Sequence, residues 1–429
     1  MFAISRTMVA FGAAVVFSLG AAASASATTI NGSGSSLQKN AQQSLWAPSF
    51  TTAFPSDAIS YTSTSSGSGL SEFGNDNSVL KTAGGVDVFV GTDDAPDATQ
   101  TAKAKTATGT NANEITVPVA QAPVAIIASL PAGLTISNTQ VALSQAQLEQ
   151  IYHHAVPASG AYAANTWGAA LNAAGASITG DTGGASATAI TLQVRVGDSG
   201  TTRAVKGFLE QIDTGDTHGW NHEGSDSWTN TSGTTTNGGA NTGGGALVTS
   251  TLSNPGSIGY ANLADTTATV TNLPVAVTTG GSASHQVIRF QLKVGAIPRD
   301  ASSNPASQTT AAGNLTTSGS GSWSAVPASI TATTTWENTI ASSTSTSLAG
   351  YPLAAPTYDL GWDNYAAVTN GAGGAATYTA AQITTANNYF DYLVSTAVGK
   401  GQPTVTANGY APLPTNVQTK AVTAAGLVN

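Results

Sequence analysis

The 429-residue chain has 13 Lys and Arg against 22 Asp and Glu, 8% charged residues in all, 47 glycines and no cysteine. Without sulfur ligands it is neither a disulfide scaffold nor a thiolate metal protein, and its scattered positive residues leave a nucleic-acid backbone nothing to bind. An apolar fraction of 41% suffices for real cores; the length allows two or three domains at roughly 100–200 residues each, and glycine above the usual ~7% points to many turns. In chain order, Arg6 precedes an apolar run from Met8 to Leu19 and a small-residue stretch ending Ala25-Ser26-Ala27. That is the pattern of a secretory leader over 1–27, too short to span a bilayer, with no Cys for a lipid anchor. An exported product, periplasmic or extracellular, is expected.

Strand and helix signals then alternate, as in an α/β protein. Val86 to Val90 reads as a buried strand. Ser144 with Gln147 is a capping-box start for a helix carrying Leu148, Ile151 and Tyr152 on one face. Ile190 to Val196 alternates apolar and polar residues and runs through Gly197-Asp198-Ser199-Gly200-Thr201 into Ala204, Val205, Phe208, Leu209 and Ile212 at helical spacing. Thr379 and Gln382 repeat the capping box before a stripe of Ile383, Ala386, Phe390, Leu393 and Ala397 that stops at Gly399. Stretches 168–188, 222–245 and 297–349, rich in Ser, Thr, Asn, Gly and Ala, have few large apolar residues and read as surface insertions that contribute little core.

Three segments place small hydroxyl and glycine residues between a strand signal and a helix signal: Gly32-Ser33-Gly34-Ser35-Ser36, Ser65-Ser66-Gly67-Ser68-Gly69 and Ser199-Gly200-Thr201-Thr202. Unpaired amides at a helix start attract anions, and Ser or Thr hydroxyls add donors. Any one of these alone is normally just a cap; three together, with Arg195 four residues before Ser199, point to an anion site. A fourth segment, Gly91-Thr92-Asp93-Asp94-Ala95-Pro96, follows the Val86–Val90 strand and by itself would be a turn.

In this order the four segments resemble those of the periplasmic phosphate-binding proteins of phosphate ABC transporters. The resemblance extends through Val117-Pro118-Val119 with Ala122-Pro123-Val124-Ala125, Leu148-Glu149-Gln150-Ile151-Tyr152, Ser257-Ile258-Gly259-Tyr260 and Gly409-Tyr410-Ala411-Pro412-Leu413-Pro414, so it covers about 30 to 425. It implies an α/β, two-lobed periplasmic-binding-protein fold of type II-like build with two hinge crossings. Lobe I would comprise 28–117 and 350–429, and lobe II 118–349. It also implies a non-catalytic protein that binds inorganic phosphate for uptake as a monomer, with no cofactor and a transporter permease as partner. Carried over by position, the phosphate-binding residues would be Ser36, Leu37, Ser66, Asp94, Arg195, Ser199, Gly200 and Thr201. Arg195 would supply the charge, and Asp94 would accept a proton borne by phosphate. One departure stands out: where the family has Asp two residues after the Arg, this chain has Gly197, with Asp198 one place later.

Other readings compete for the same residues. Gly197-Asp198-Ser199-Gly200 also spells the start of a chymotrypsin-type nucleophile segment, but the family's following Gly-Pro is Thr201-Thr202 here. His153-His154 and His218 with His222 suggest metal, yet Gly219 and Asn221 argue against a helix there and no third ligand is evident, so surface histidines are the expectation. An extracellular surface or matrix protein that keeps the fold without serving a transporter is the main alternative function.

Overall fold

The computed structural model describes residues 28–429 other than 77–79, 81–86, 110–111, 139–140, 196, 216, 221–227, 229–235, 238–240, 267–274, 278–284, 300, 302–322, 347–349, 370–377 and 406–408. The sequence from Glu114 to Ser129 has a single charged residue, at its start, and no polar alternation; it forms one long strand with every residue buried. Such a run, apolar on both faces, belongs at the centre of a sheet covered on both sides. At about 3.3 Å per residue it is ~50 Å long, enough to serve two bodies of sheet in succession.

In chain order the strands used here are β1 (Thr28–Gly34), β2 (Asp57–Ser63), β3 (Phe89–Thr92), β4 (Glu114–Ser129), β5 (Leu134–Ile136), β6 (Ala142–Leu143), β7 (Ile178–Asp181), β8 (Thr191–Gln193), β9 (Thr236–Asn237) and β10 (Ser257–Asn262). They are followed by β11 (Val275–Val277), β12 (His285–Val294), β13 (Ile297–Arg299) and β14 (Ala354–Trp362). The first half of β4 pairs antiparallel with β14, which pairs with β3 in a wing ordered β2-β1-β3-β14-β4; β1, β2 and β3 are parallel. The second half, Val124–Ser129, lies between β10 and β12, and β10 continues parallel to β8 and β9 in a second wing. The helices Ala380–Val394 and Thr415–Ala425 return the chain to the first wing, against β1 and β4. The mixed α/β class expected from the sequence is the one observed.

Capping chemistry places the helices. Both boxes form: Ser144 caps α5 (Gln145–Tyr152) and Thr379 caps Ala380–Val394, each with the reciprocal Gln side chain. The latter helix stops at Val394 instead of running to Ala397, because Ser395 turns to extended backbone. The β3 strand is Phe89–Thr92, and Val86 lies outside the described residues. The strand read from Ile190 to Val196 is shorter, Thr191–Gln193, and Val196 is not among the described residues.

Stretch 168–188 is more than a surface insertion. It carries most of α6 (Trp167–Ala173), buried from Trp167 to Leu171, and β7, which pairs with β5. Small residues explain the difference: Gly168, Ala169 and Ala170 pack closely without the large side chains by which core is recognised in a sequence. In 297–349, Trp323, Trp336 and Ala341 are likewise buried.

The cores also enclose carboxyl groups. Glu114 accepts from Asn75 Nδ2 at 3.2 Å through one oxygen, and its Oε2 has no partner among the described residues; burial pushes its pKa up to about 8. Asp359 in β14 takes Gln42 Nε2 at 3.0 Å, and burial raises it to about 7. Both groups hold protons in the folded chain over a range where the unfolded chain, at 4.5 and 3.8, has released them. The folded state therefore binds more protons, and stability falls as pH rises from about 4 to about 8. Thermal unfolding followed by circular dichroism is expected to show a higher midpoint near pH 5 than near pH 8. Glu114→Gln should flatten that slope and stabilise the protein at the alkaline end; a midpoint that rises with pH would contradict the assignment.

Candidate functional site

The carboxyl ends of β1, β2 and β3 in the first wing face the carboxyl end of β8 in the second, and four short turns meet there. After β1, the Ser35 carbonyl accepts from Tyr61 Oη at 2.9 Å, and the Leu37 carbonyl accepts from Asn262 Nδ2 at 2.8 Å and from the Tyr410 hydroxyl. A trans peptide points its N–H away from its carbonyl, so the Ser36 amide faces away from Tyr61. After β2, Ser65 caps α3 (Ser66–Glu72) by accepting from the Ser68 amide at 3.1 Å. After β8, Ser199 caps α7 (Gly200–Ile212), accepting from the Thr202 amide at 3.3 Å. The first amides of α7 have no partner within the helix.

These turns converge on Asp93, which follows β3 and is buried. Its Oδ1 accepts from the Ser35 hydroxyl, its Oδ2 from Thr201 Oγ1 at 3.2 Å, and its amide donates to Ser66 Oγ at 3.2 Å. Gly200 lets α7 come this close: a Cβ there would lie 2.5 Å from the Asp93 carbonyl carbon. Burial raises Asp93 to about 6; the Ser35 hydrogen bond, the Arg195 charge and the hydrogen bonds from Thr201 and Ser66 oppose the rise. At neutral pH it is a carboxylate.

Arg195 is the buried cation of the junction. Its Nε donates to the Asn241 carbonyl at 3.1 Å, Nη2 to the Thr242 carbonyl at 2.8 Å, and Nη1 to Ser36 Oγ at 3.4 Å. Asn241 Nδ2 in turn donates to the Val194 carbonyl at 3.0 Å, fixing the strand end that carries the Arg. Carbonyls thus orient the guanidinium where the resembled family uses the carboxylate replaced here by Gly197. They come from 222–245, so this stretch, read as an insertion without a role in the site, reaches into it.

Of the expected residues, Ser36, Leu37, Ser66, Arg195, Ser199, Gly200 and Thr201 are brought to this one junction. Asp94 is not. Its Oδ1 pairs with Arg203 Nη1 at 2.6 Å, on the next turn of α7, and Arg203 Nη2 donates to the Glu337 carbonyl at 3.0 Å. The two aspartates lie on the bend after β3 and their side chains diverge, Asp93 to the Ser35 hydroxyl and Asp94 to Arg203. The Thr92 hydroxyl, bonded to the Asp94 amide at 3.0 Å and to its carbonyl at 2.7 Å, sets which one faces the turns. Sequence reasoning also missed Ser35, Asn241 and Thr242; the last two act through backbone carbonyls, for which residue type gives no signal.

The rival motifs resolve differently. Ser199 Oγ is a helix cap, not a nucleophile paired with a base. His154 Nε2 meets the Ile190 carbonyl at 3.0 Å, His222 lies outside the described residues, and His153 and His218 stack on each other beside Glu149. Next to the junction a groove of about 730 Å³ is lined by residues including Ser65, Gly67, Ser68, Glu72, Asp198 and Thr242.

Residues 20–311, more than half of the chain, match the PBP superfamily domain. The chain belongs to the PBP superfamily. Its fold is that of the two-lobed members. It is similar to a high-affinity periplasmic phosphate-binding protein solved with phosphate bound, PfluDING (20% identity, TM-score 0.59, covering 91% of this chain and 92% of that one). It is also similar to a human phosphate-binding apolipoprotein (19%, TM-score 0.60, 91% and 92%) and to a phosphate-binding protein from Stenotrophomonas maltophilia (15%, TM-score 0.56, 92% and 94%). At these identities the likeness is one of fold. No curated protein matches the sequence. In this PBP-superfamily chain the two halves of β4 correspond to two bodies of sheet, and the junction of turns lies between them.

Asp94→Asn should destabilise the chain by about 3 kcal/mol, because it leaves the Arg203 charge mostly buried without its counterion. Adding Arg203→Met should recover much of the loss. Urea unfolding of the single and double variants is the measurement; a single variant as stable as the parent would show that the pair contributes nothing.

Proposed function

We propose that the junction binds inorganic phosphate and that the chain is an exported substrate-binding protein for phosphate uptake. One observation carries this reading: a buried guanidinium, several hydroxyls and a helix N-terminus are gathered around the buried carboxylate of Asp93. Donors and a cation suit any oxyanion. A carboxylate among them suits only one that still carries a proton, which phosphate does at neutral pH and sulfate does not.

The roles follow from the geometry. Arg195 supplies the charge and, with Ser36, Ser66 and the amides of Ser199, Gly200 and Thr201, the donors; the Leu37 amide, bonded to Ser35 Oγ at 3.0 Å in this state, is a further one. Asp93 accepts the phosphate proton in the place expected for Asp94. The ligand would bridge lobe I, 28–117 with 350–429, and lobe II, 118–349, so that binding favours closure through contacts made only when the lobes meet. The leader pattern over 1–27 supports export, and the likeness to a periplasmic phosphate-binding protein solved with phosphate supports the ligand; the chain would act as a monomer that delivers phosphate to a transporter permease, as the family resemblance implies. Among the described residues no helix is long and apolar enough to cross a membrane.

Calorimetric titration of the purified chain with phosphate and with sulfate tests this. Phosphate should bind at one site and be preferred by about two orders of magnitude, since a desolvated acceptor without its partner costs ~1–3 kcal/mol or more and each 1.4 kcal/mol is tenfold. Arg195→Ala should weaken phosphate on the order of a hundredfold. Asp93→Asn should admit sulfate and narrow the preference. Equal affinity for the two anions in the unmutated chain would refute the assignment to phosphate.

A further inference from the structure

At the other end of α7 from the anion junction lies a second cluster of functional side chains. Glu149 and His153, four residues apart, share a face at the end of α5. The turn after α7 brings His218 against them: its Nδ1 lies 2.6 Å from Glu149 Oε1 and 3.6 Å from Asp213 Oδ2. The two imidazoles stack with centroids 3.6 Å apart and planes at 15°. One ligand atom from each of Glu149, His153 and His218 falls within a span of 4.8 Å.

We propose that Glu149, His153 and His218 form a site for a transition-metal dication of the zinc type, with Asp213 as an available fourth ligand. Two imidazoles and carboxylate oxygens are a borderline donor set that zinc takes in tetrahedral geometry at about 2.0–2.2 Å. The two imidazoles are stacked, so coordination needs each ring to turn until its lone pair meets a shared ion, and their partly exposed positions leave room for that. The ligands are held from behind, as in metal sites with an ordered outer shell. Trp220 Nε1 donates to Glu149 Oε1 at 3.2 Å, and Asp213 takes Thr217 Oγ1 at 2.7 Å and the His218 amide at 2.8 Å. Glu149 is buried, whereas both histidines remain partly exposed, so the cluster opens to solvent on the imidazole side. It also sits at the carboxyl end of α7, where the helix dipole favours a cation. Thirteen residues at 1.5 Å each put it about 20 Å from the anion junction, so the proposal is independent of phosphate binding.

The test is calorimetric titration of the chelator-treated full-length chain with zinc chloride, and with cobalt chloride as a visible-spectrum probe of geometry. One zinc per chain is expected, with a tetrahedral cobalt spectrum. His153→Gln and His218→Gln should each lower the affinity at least tenfold; His153→Gln should leave the metal-free melting temperature unchanged, whereas His218→Gln also removes a partner of buried Glu149 and is compared by zinc affinity at a temperature where both variants are folded. Glu149→Gln should weaken binding as well, and if it also lowers that melting temperature the two histidine variants decide. Absence of stoichiometric binding, or binding of equal strength in His153→Gln and His218→Gln, would overturn the proposal.

Discussion

The arrangement of the junction depends on keeping one carboxylate, Asp93, buried and ionised. Isolating a charge from water is costly, and the surroundings of Asp93 are the means of offsetting that cost. Ser35 donates from the turn after β1, Thr201 from the start of α7, and the Arg195 charge lies close enough to favour the ionised form. Those donors belong to both wings of sheet. A single side chain thus requires two separate bodies of the chain to come together before its own burial is tolerable. The result is a carboxylate raised only to about 6, which is ionised at neutral pH yet able to take a hydrogen bond from a protonated ligand oxygen.

Arg195 supplies the opposite charge, and the manner of its support bears on how much of that charge a ligand feels. The Asn241 and Thr242 carbonyls orient its donors without adding a formal charge, so the negative charge that reaches it is that of Asp93 and Asp265. Gly197, where the resembled family carries Asp, has a positive φ of 74°, and the turn that it makes puts Asp198 beside α3: a Cβ on Gly67 would lie 2.6 Å from the Asp198 Cβ. Charge lost from one position reappears on the wall of the groove, which Asp198 lines together with Thr242. Orientation is retained by groups that carry no formal charge.

Much of this was legible in the residues, and the rest was hidden for physical reasons. Capping boxes at Ser144 and Thr379 announce helices because the cap and its reciprocal Gln are local. The hydroxyl-rich turns announce an anion site because their donors are side chains and helix amides close in sequence. Which of Asp93 and Asp94 faces that site depends on a hydroxyl bond from Thr92 and on where Arg203 lies in space, and neither is a property of the pair itself. The carbonyls of Asn241 and Thr242 carry no signature, since every residue has one. The pairing of His153 with His218 was likewise invisible, because it requires α5 and the far end of α7 to be neighbours.

Helix α7 reads the two aspartates in succession. Thr201, in its first turn, meets Asp93, and Arg203, just beyond, meets Asp94. The second contact joins the wings in the same way as the first but involves none of the hydroxyls that meet Asp93. Its net contribution is limited by desolvation: both groups give up hydration to be buried, and most of the Coulomb attraction of a buried pair is matched by that loss. The pair therefore fixes how α7 meets the segment after β3, and with it the approach of Thr201 and Gly200 to Asp93.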